Sequence, residues 1–450
     1  MTMPESTSHI RSQHTDRHVG AATSAEPRSG WPTRTQVLVI GGGPAGASAA
    51  WHCREAGLDV VLVDKAHFPR AKACAEYVGP GALPILERMG ALAAIEAGGA
   101  ARLAGMVVHT PNGGRIHGEF SGRHPFRGIR DGGLGVQRQL LDPLLLDRAR
   151  AAGVQVIEGM GLHRVLQEQG VVTGAELMPR GGRPDRGNTP HVIRADLVIG
   201  ADGLRSLVSR QLGLAHRARW PRRYAFVAHF DGVADMGAMG EMHVRRDGYV
   251  GLAQVSGGVT NVALVLGARA AKNAAGNPEA LQRAWLDADP ALAARFRGAT
   301  RVSPVRTTGP FGSFAKRAWH PGALLTGDAA DFFDPFTGEG IKSALKGGEL
   351  LVQHAVDALR APGTQSARRA LSAYDDTRRR ALRGKWWIER LIGLAVAAPP
   401  LLDHFGRTMS RRPELADLLV GATGGVVPPT AVLHPATLWR FITGAASPQT

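Results

Sequence analysis

At 450 residues and 44% apolar content the chain can bury a substantial core, about three domain-sized units by length alone, which excludes a single small module. Two cysteines, Cys53 and Cys74, exclude a disulfide framework and a four-thiolate zinc site, and point to a reducing, cytoplasmic setting. The formal charge of +16 comes mostly from scattered arginine, with no dense basic block or interleaved aromatics, so an anionic cofactor, an acidic substrate or a membrane surface accounts for it better than nucleic acid.

In chain order, residues 1–34 are polar and carry no apolar run of the kind a signal peptide needs, so they read as a disordered tail or as an over-long start of the chain. "TQVLVIGGGPAGASAAWHCREAGLDVVLVDK" (Thr35 to Lys65) then gives a β-branched strand, a glycine turn, a small-residue helix and a second apolar strand, a β-α-β unit with Cys53 expected on the sheet-facing side of its helix. Gly41, Gly43 and Gly46 form G-x-G-x-x-G between strand and helix, where backbone N–H groups meet a pyrophosphate that a Cβ would repel. Asp64 follows 23 residues after Gly41, at the end of the second strand, placed to accept from a ribose diol. Together they predict dinucleotide binding, with Pro44, Ala45 and Lys65 flanking the contacts.

The next stretch, "FPRAKACAEYVGPGAL" (Phe68 to Leu83), is a polar, proline-bracketed loop. Cys74 reads first as a small buried group helping the loop fold and second as a reactive thiol, since no resolving cysteine lies nearby. The loop offers too few ligands for a metal. Glu76 is a candidate hydrogen-bond partner in the site, Tyr77 a packing ring or substrate contact, and Arg70 and Lys72 phosphate or surface charges.

"GVQRQLLDPLLLDRARAAGVQVIEG" (Gly135 to Gly159) predicts another helix-to-strand passage of the same sheet, and "RGGRPDRGNTP" (Arg180 to Pro190) a hairpin-type loop. Alternation in Arg223 to Phe230, Gly248 to Val255 and Thr260 to Gly267 predicts an antiparallel sheet, with His229 and Gln254 on different strands. Met236, Met239 and Met242 are soft apolar groups suited to a lipophilic ligand or to loop packing. Glu279 to Phe296 reads as one helix, and helices dominate from Ile341 onward. The apolar stretch Leu391 to Leu402 is too short to span a bilayer and is interrupted by Pro399 and Pro400, so it is expected to pack as a terminal helix, with a peripheral membrane contact left open.

Two later stretches, "LVIGADGLRSLVSR" (Leu197 to Arg210) and "ALLTGDAADFFDPFTGEGIKSAL" (Ala323 to Leu345), follow the glycine motif in the order and spacing of FAD-dependent oxidoreductases. From about Thr35 to Ala355 the chain resembles the superfamily uniting group A flavin monooxygenases of the p-hydroxybenzoate hydroxylase type with geranylgeranyl reductases and flavin-dependent halogenases. The resemblance implies an α/β fold: a discontinuous Rossmann-like FAD-binding domain (35–105, 130–215, 305–365), an inserted antiparallel β-sheet substrate domain (106–129, 216–304) and a helical C-terminal region (366–450). It implies that Asp64 binds the adenosine ribose, Arg138 contacts the cofactor, Asp202 lies near the FAD, Gly327 and Asp328 hold the ribityl or pyrophosphate, and Pro335, Gly338, Gly340 and Ile341 run along the flavin ring. Asp331 stands where many relatives carry glycine.

With one nucleotide-binding unit, NAD(P)H or another electron donor is a transient co-substrate. The expected activity is oxygenation of a lipophilic or aromatic small molecule through a flavin hydroperoxide. Reduction of isoprenoid double bonds is the alternative, because the Cys74 loop resembles the F-P-R-x-K-x-C-G-E loop of geranylgeranyl reductases with Ala75 in place of glycine. Halogenation ranks lower, since none of the eight tryptophans makes W-x-W-x-I, and a non-catalytic flavoprotein lower still. Catalytic candidates are Cys74, Glu76 and His229; no metal is expected, and the oligomeric state is left open.

Overall fold

The computed structural model describes residues 30–182, 189–218, 220, 222–273 and 276–445; the expected tail up to residue 29 and the centre of the 180–190 loop lie outside the described residues. Strand Arg34–Ile40 is buried on both faces from Val37 onward, as expected for an apolar run inside a parallel sheet. It pairs in parallel with Val60–Asp64 on one side and His191–Gly200 on the other. Gln155–Glu158 and Ala323–Leu325 extend the parallel set outward, and the antiparallel ladder of Met160–Glu168, Val171–Pro179 and His191–Gly200 leaves one edge, so the 180–190 loop does join two hairpin strands.

Helix Pro44–Glu55 packs its alanines and Cys53 against this sheet, and burial pushes the Cys53 thiol up to about 12, leaving it inert. Helix Gly340–Leu359 crosses it closely because a Cβ on Gly348 would lie 2.6 Å from Ala49 N. Ser48 Oγ seals the crossing by donating to Leu345 O at 2.8 Å.

A second, antiparallel sheet contains the three predicted strands as Arg223–Asp231, Gly248–Gln254 and Thr260–Gly267. Met239–Val244 extends it and pairs in parallel with Gly105–His109, which pairs with Arg115–Glu119. The period of two sorts its side chains: Phe226, Ala228, Val250 and Leu264 turn to one core and Ala225, Val227, Tyr249 and Val265 to another.

The first core is covered by two helices, Pro278–Asp287 and Pro290–Arg295, which corrects the expected single helix. Pro290 restarts the chain there, and the Asp289 carboxylate caps the new helix by accepting from Ala291 N at 2.9 Å. The other face is shared between the cleft described below and the C-terminal helices. Thr364–Ala397 is one helix of 34 residues; the chain turns at Pro399 into Pro399–Arg411 and then Pro413–Gly424. Residues 391–402 are thus two amphipathic helix ends, with Val396 and Leu402 buried and Leu391, Leu394 and Leu401 exposed.

Candidate cofactor and substrate site

One cleft runs between the two sheets from the glycine turn to the antiparallel strands. At its first end Gly41 has φ +108°, and a Cβ there would lie 2.5 Å from Ala201 O; a Cβ on Gly46 would lie 1.7 Å from Gly41 O. Turn and helix therefore close as predicted, with Pro44 and Ala45 on the cleft wall. Asp64, buried, accepts from Gly42 N at 2.7 Å and from Ala66 N at 2.8 Å. It shapes the glycine turn itself, and its carboxylate keeps lone pairs for a ribose hydroxyl. Both Asp64 and Lys65 lie outside the cleft lining, and Lys65 is exposed with no hydrogen bond to the turn among the described residues.

Arg138, at the start of helix Arg138–Ala151, is buried and forked onto Asp142 at 2.7 and 2.8 Å. Arg70 joins the same carboxylate at 3.0 Å. A Cβ on Gly43 would sit 3.7 Å from a guanidinium nitrogen of each arginine. Two cations share one carboxylate, so an excess positive charge faces the N–H groups of the glycine turn. Lys72, solvent-exposed on the cleft wall, has its pKa held down by the crowding of the cleft and by Arg138; Asp328 has its own pushed up by burial, against the pull of Lys72 and Arg138. Arg70 is thus tied into the cleft by Asp142, while Lys72 is both exposed and on the cleft wall.

The Cys74 loop is tied down by Glu76. Its Oε1 accepts from Arg138 N at 2.8 Å, and its Oε2 accepts from Asn261 Nδ2 at 3.0 Å and meets His229 Nε2 at 2.6 Å. Asn261 also donates to Cys74 O at 2.9 Å, and Ser303 Oγ lies 3.1 Å from His229 Nδ1. Glu76 is 3% exposed and has φ +57°, so the left-handed backbone falls one residue after Ala75, which keeps an ordinary φ. His229 stands behind Glu76 and is absent from the cleft lining, so it reaches the cleft only through that carboxylate. Cys74 does line the cleft, and its Sγ accepts from Glu76 N at 3.3 Å.

Asp202 lies beside the cleft, between residues that line it. Its Oδ2 accepts from Leu207 N at 2.5 Å at the start of helix Leu207–Gln211, burial pushes its pKa up, and its neighbours Ala201, Gly203 and Leu204 line the cleft in its place.

Along the middle of the cleft, Gly327, Asp328, Pro335, Gly338, Gly340 and Ile341 all line the wall as expected. Gly338 has φ +69°, and a Cβ there would meet the Tyr77 ring at 2.8 Å, so Tyr77 packs the turn. Helix Gly340–Leu359 points its N-terminus into the cleft, where it favours negative charge. Asp331 pairs with Arg378. That partner belongs to a face the sequence reading missed: Arg378, Leu382, Lys385 and Glu389 line the cleft from the long C-terminal helix. Their spacing of four, three and four is one helical stripe, a signal that was available.

The far end is an apolar chamber on the antiparallel sheet, walled by Ala225, Val227, Met242, Gly251, Ala263 and Val265. Small residues at three of these positions create the space. Tyr249 borders it with its hydroxyl turned away, donating to Asp334 Oδ1 at 2.6 Å, while Arg223 holds Asp334 Oδ2 at 3.0 Å. Burial first, then Asp334, pushes the Tyr249 phenol well above its ordinary pKa, so it stays protonated. Met236 and Met239 do not reach the chamber lining, and neither does Gln254. Outside the cleft, His109, Glu241 and His243 come together, but Arg295 occupies both Glu241 oxygens at 2.6 and 3.0 Å.

A family model described as "FAD binding domain" matches residues 34–384. The chain belongs to this FAD-binding family. Digeranylgeranylglycerophospholipid reductase 2 of Methanopyrus kandleri is 29% identical over 351 residues, 76% of this chain and 81% of that protein. Tryptophan 2-halogenase of Chondromyces crocatus is 27% identical over 340 residues, 70% of this chain and 59% of that protein. Among solved structures, a flavoprotein/dehydrogenase from Cytophaga hutchinsonii aligns with a TM-score of 0.78 at 22% identity, over 90% of this chain and 96% of that one. The protein is therefore an FAD-dependent oxidoreductase with a Rossmann-type cofactor fold, and the relatives span reduction and halogenation.

The residues present fit FAD. In this oxidoreductase the glycine turn and the Arg70–Arg138 pair suit a diphosphate, while Ser343 Oγ, buried on the cleft wall, has no hydrogen-bond partner among the described residues. Among those residues no helix is long and apolar enough to cross a membrane.

Proposed function

We propose that this FAD-dependent oxidoreductase oxygenates a lipophilic, aromatic small molecule, taking electrons from a reduced nicotinamide that docks transiently in the shared cleft. The net reaction is RH + O₂ + NAD(P)H + H⁺ → ROH + NAD(P)⁺ + H₂O. FAD, when bound, supplies the electron transfer to dioxygen. Gly43, Arg70 and Arg138 hold its diphosphate, Asp64 the ribose, and the turn at Gly338 with the helix N-terminus behind it accepts negative charge on the ring.

The observation that carries the reading is the chamber. Its sheet-side wall is apolar, and the Tyr249 phenol beside it is locked onto Asp334 with a raised pKa, so the sheet offers a substrate apolar contact and no free hydroxyl. Oxygenation needs a dry enclosure. Saturating a double bond adds a hydride and a proton, and so needs a donor. The test is turnover under ¹⁸O₂ with NADPH or NADH and an aromatic substrate. Label in the product is expected, and equal turnover without oxygen and without label would overturn the reading.

A second reading, reduction of an isoprenoid double bond, is favoured by the Cys74 thiol on the cleft wall and by the similarity to the archaeal reductases. In that case Cys74 would be the proton donor.

A further inference from the structure

Beside the cleft lies a second cavity of about 680 Å³. Aromatic and apolar side chains, Trp220, Phe314, Phe333, Trp386 and Leu394 among them, share its wall with charged ones that include Lys316, Arg379 and Arg390. Three of these reach the surface: Trp220 is 47%, Phe314 41% and Leu394 54% exposed. A solvent-facing hollow of this composition is costly to keep wet and marks a binding surface.

The cavity adjoins the cleft. Asp331, Phe332, Phe333, Arg378 and Glu389 line both, so the two share a wall. At the partition the Arg378 guanidinium pairs with Asp331 and lies 5.2 Å from the Trp386 ring centroid. Burial lowers the Arg378 pKa to about 10, and the group stays charged at neutral pH.

We propose that this second cavity is a tail subsite: it receives the apolar tail of the substrate whose reacting end occupies the chamber, the tail passing the Arg378–Asp331 pair. The substrate is then an amphiphile, an aromatic head carrying an alkyl or prenyl chain, larger than the chamber alone can hold. This rests on the chamber being the substrate site, as in the function proposed above. The continuity of the two walls argues for one ligand spanning both, and the exposed apolar rim lets the tail enter from outside.

The test is binding of 4-alkylphenols, from ethyl to dodecyl, to the FAD-loaded protein, read from perturbation of the flavin absorbance. Affinity is expected to rise roughly three- to fourfold per added methylene, the increment for burying one, until the cavity is full. Leu394→Asp, at the exposed rim, and Ala218→Trp, on the opposite wall, are each expected to abolish that rise while leaving the Kd of the ethyl compound within about twofold of wild type. A variant that also loses the ethyl compound has misfolded, and the other then decides.

Affinity independent of chain length in the wild type, an unchanged rise in the folded variants, loss of the ethyl compound in both, or no binding of any member would overturn the tail subsite. A normal chain-length rise without ¹⁸O incorporation would overturn the oxygenation reading and leave the subsite standing.

Discussion

Glu76 carries more structural weight than any other residue in the Cys74 loop. It is buried, sits at φ +57°, and satisfies a backbone N–H, an amide and an imidazole at once. Glu76→Ala is expected to destabilise the protein by about 3 kcal/mol, because three polar partners are left unpaired in the interior. Glu76→Gly loses the same bonds but adopts the left-handed backbone freely, so it should be about 1 kcal/mol less damaging than alanine. Urea unfolding of the two variants measures the difference, and equal stabilities would mean that the backbone there is unstrained. Cys74→Ala separates the two chemistries: an oxygenase keeps FAD and turnover within a fewfold, whereas a reductase that draws its proton from this thiol loses activity by a hundredfold or more, about 3 kcal/mol in barrier. Cys74 was legible in the sequence as a cleft residue. The clasp of Glu76, His229 and Asn261 was not, because its members lie on separate elements that only the fold brings together.

Elements were legible where one period dominates. The β-α-β unit and the three alternating strands appear within a residue or so of their expected bounds, since burial on both faces or on alternate faces writes itself into the sequence. The edge pairing was not: Gly105–His109 runs parallel to Met239–Val244 across more than a hundred residues of chain, which sets His109 opposite His243, their rings stacked at 4.3 Å. Burial first, and then His243, lowers the His109 pKa from 6.5 to about 4. An unfolded chain therefore takes up a proton below about pH 6.5 that the folded chain refuses until about pH 4, so this contribution is complete above pH 6.5 and is lost as pH falls toward 4. Glu241, held down to about 2, titrates below that window. His109→Phe should keep the stack and flatten the fall of Tm between pH 6.5 and 4 relative to wild type. An unchanged difference in Tm across that range would count against a neutral, half-buried His109.

At the scale of the whole molecule, the cleft is assembled from segments spread from Gly43 to Glu389, and the C-terminal helices close the antiparallel sheet as well as the cleft. Helix Pro413–Gly424 lies so close on strand Arg115–Glu119 that a Cβ on Gly118 would come 2.4 Å from Ala416 O. Gly118→Val is expected to push this helix off the sheet, costing about 1–3 kcal/mol and lowering Tm by several degrees, with aggregation as the exposed apolar face finds itself. Differential scanning calorimetry and size-exclusion chromatography check both, and a variant as stable and monodisperse as wild type would show that the helix does not bear on the sheet.

The sequence by itself determined the cofactor and its cradle. Glycines that must meet backbone or ligand without a Cβ, and a carboxylate at a strand end, are local requirements with fixed spacing, and Gly41, Gly43, Gly46 and Asp64 stand where their pattern put them. Only the tertiary structure decided which polar side chains face the cleft and which serve the scaffold. Asp202 and His229 turn to a helix end and to Glu76, while Arg378 and Lys385 arrive from a helix outside the three motifs. Which way a side chain points, and what neutralises it, depends on the elements packed against it, and those contacts span distances in sequence that no local pattern encodes.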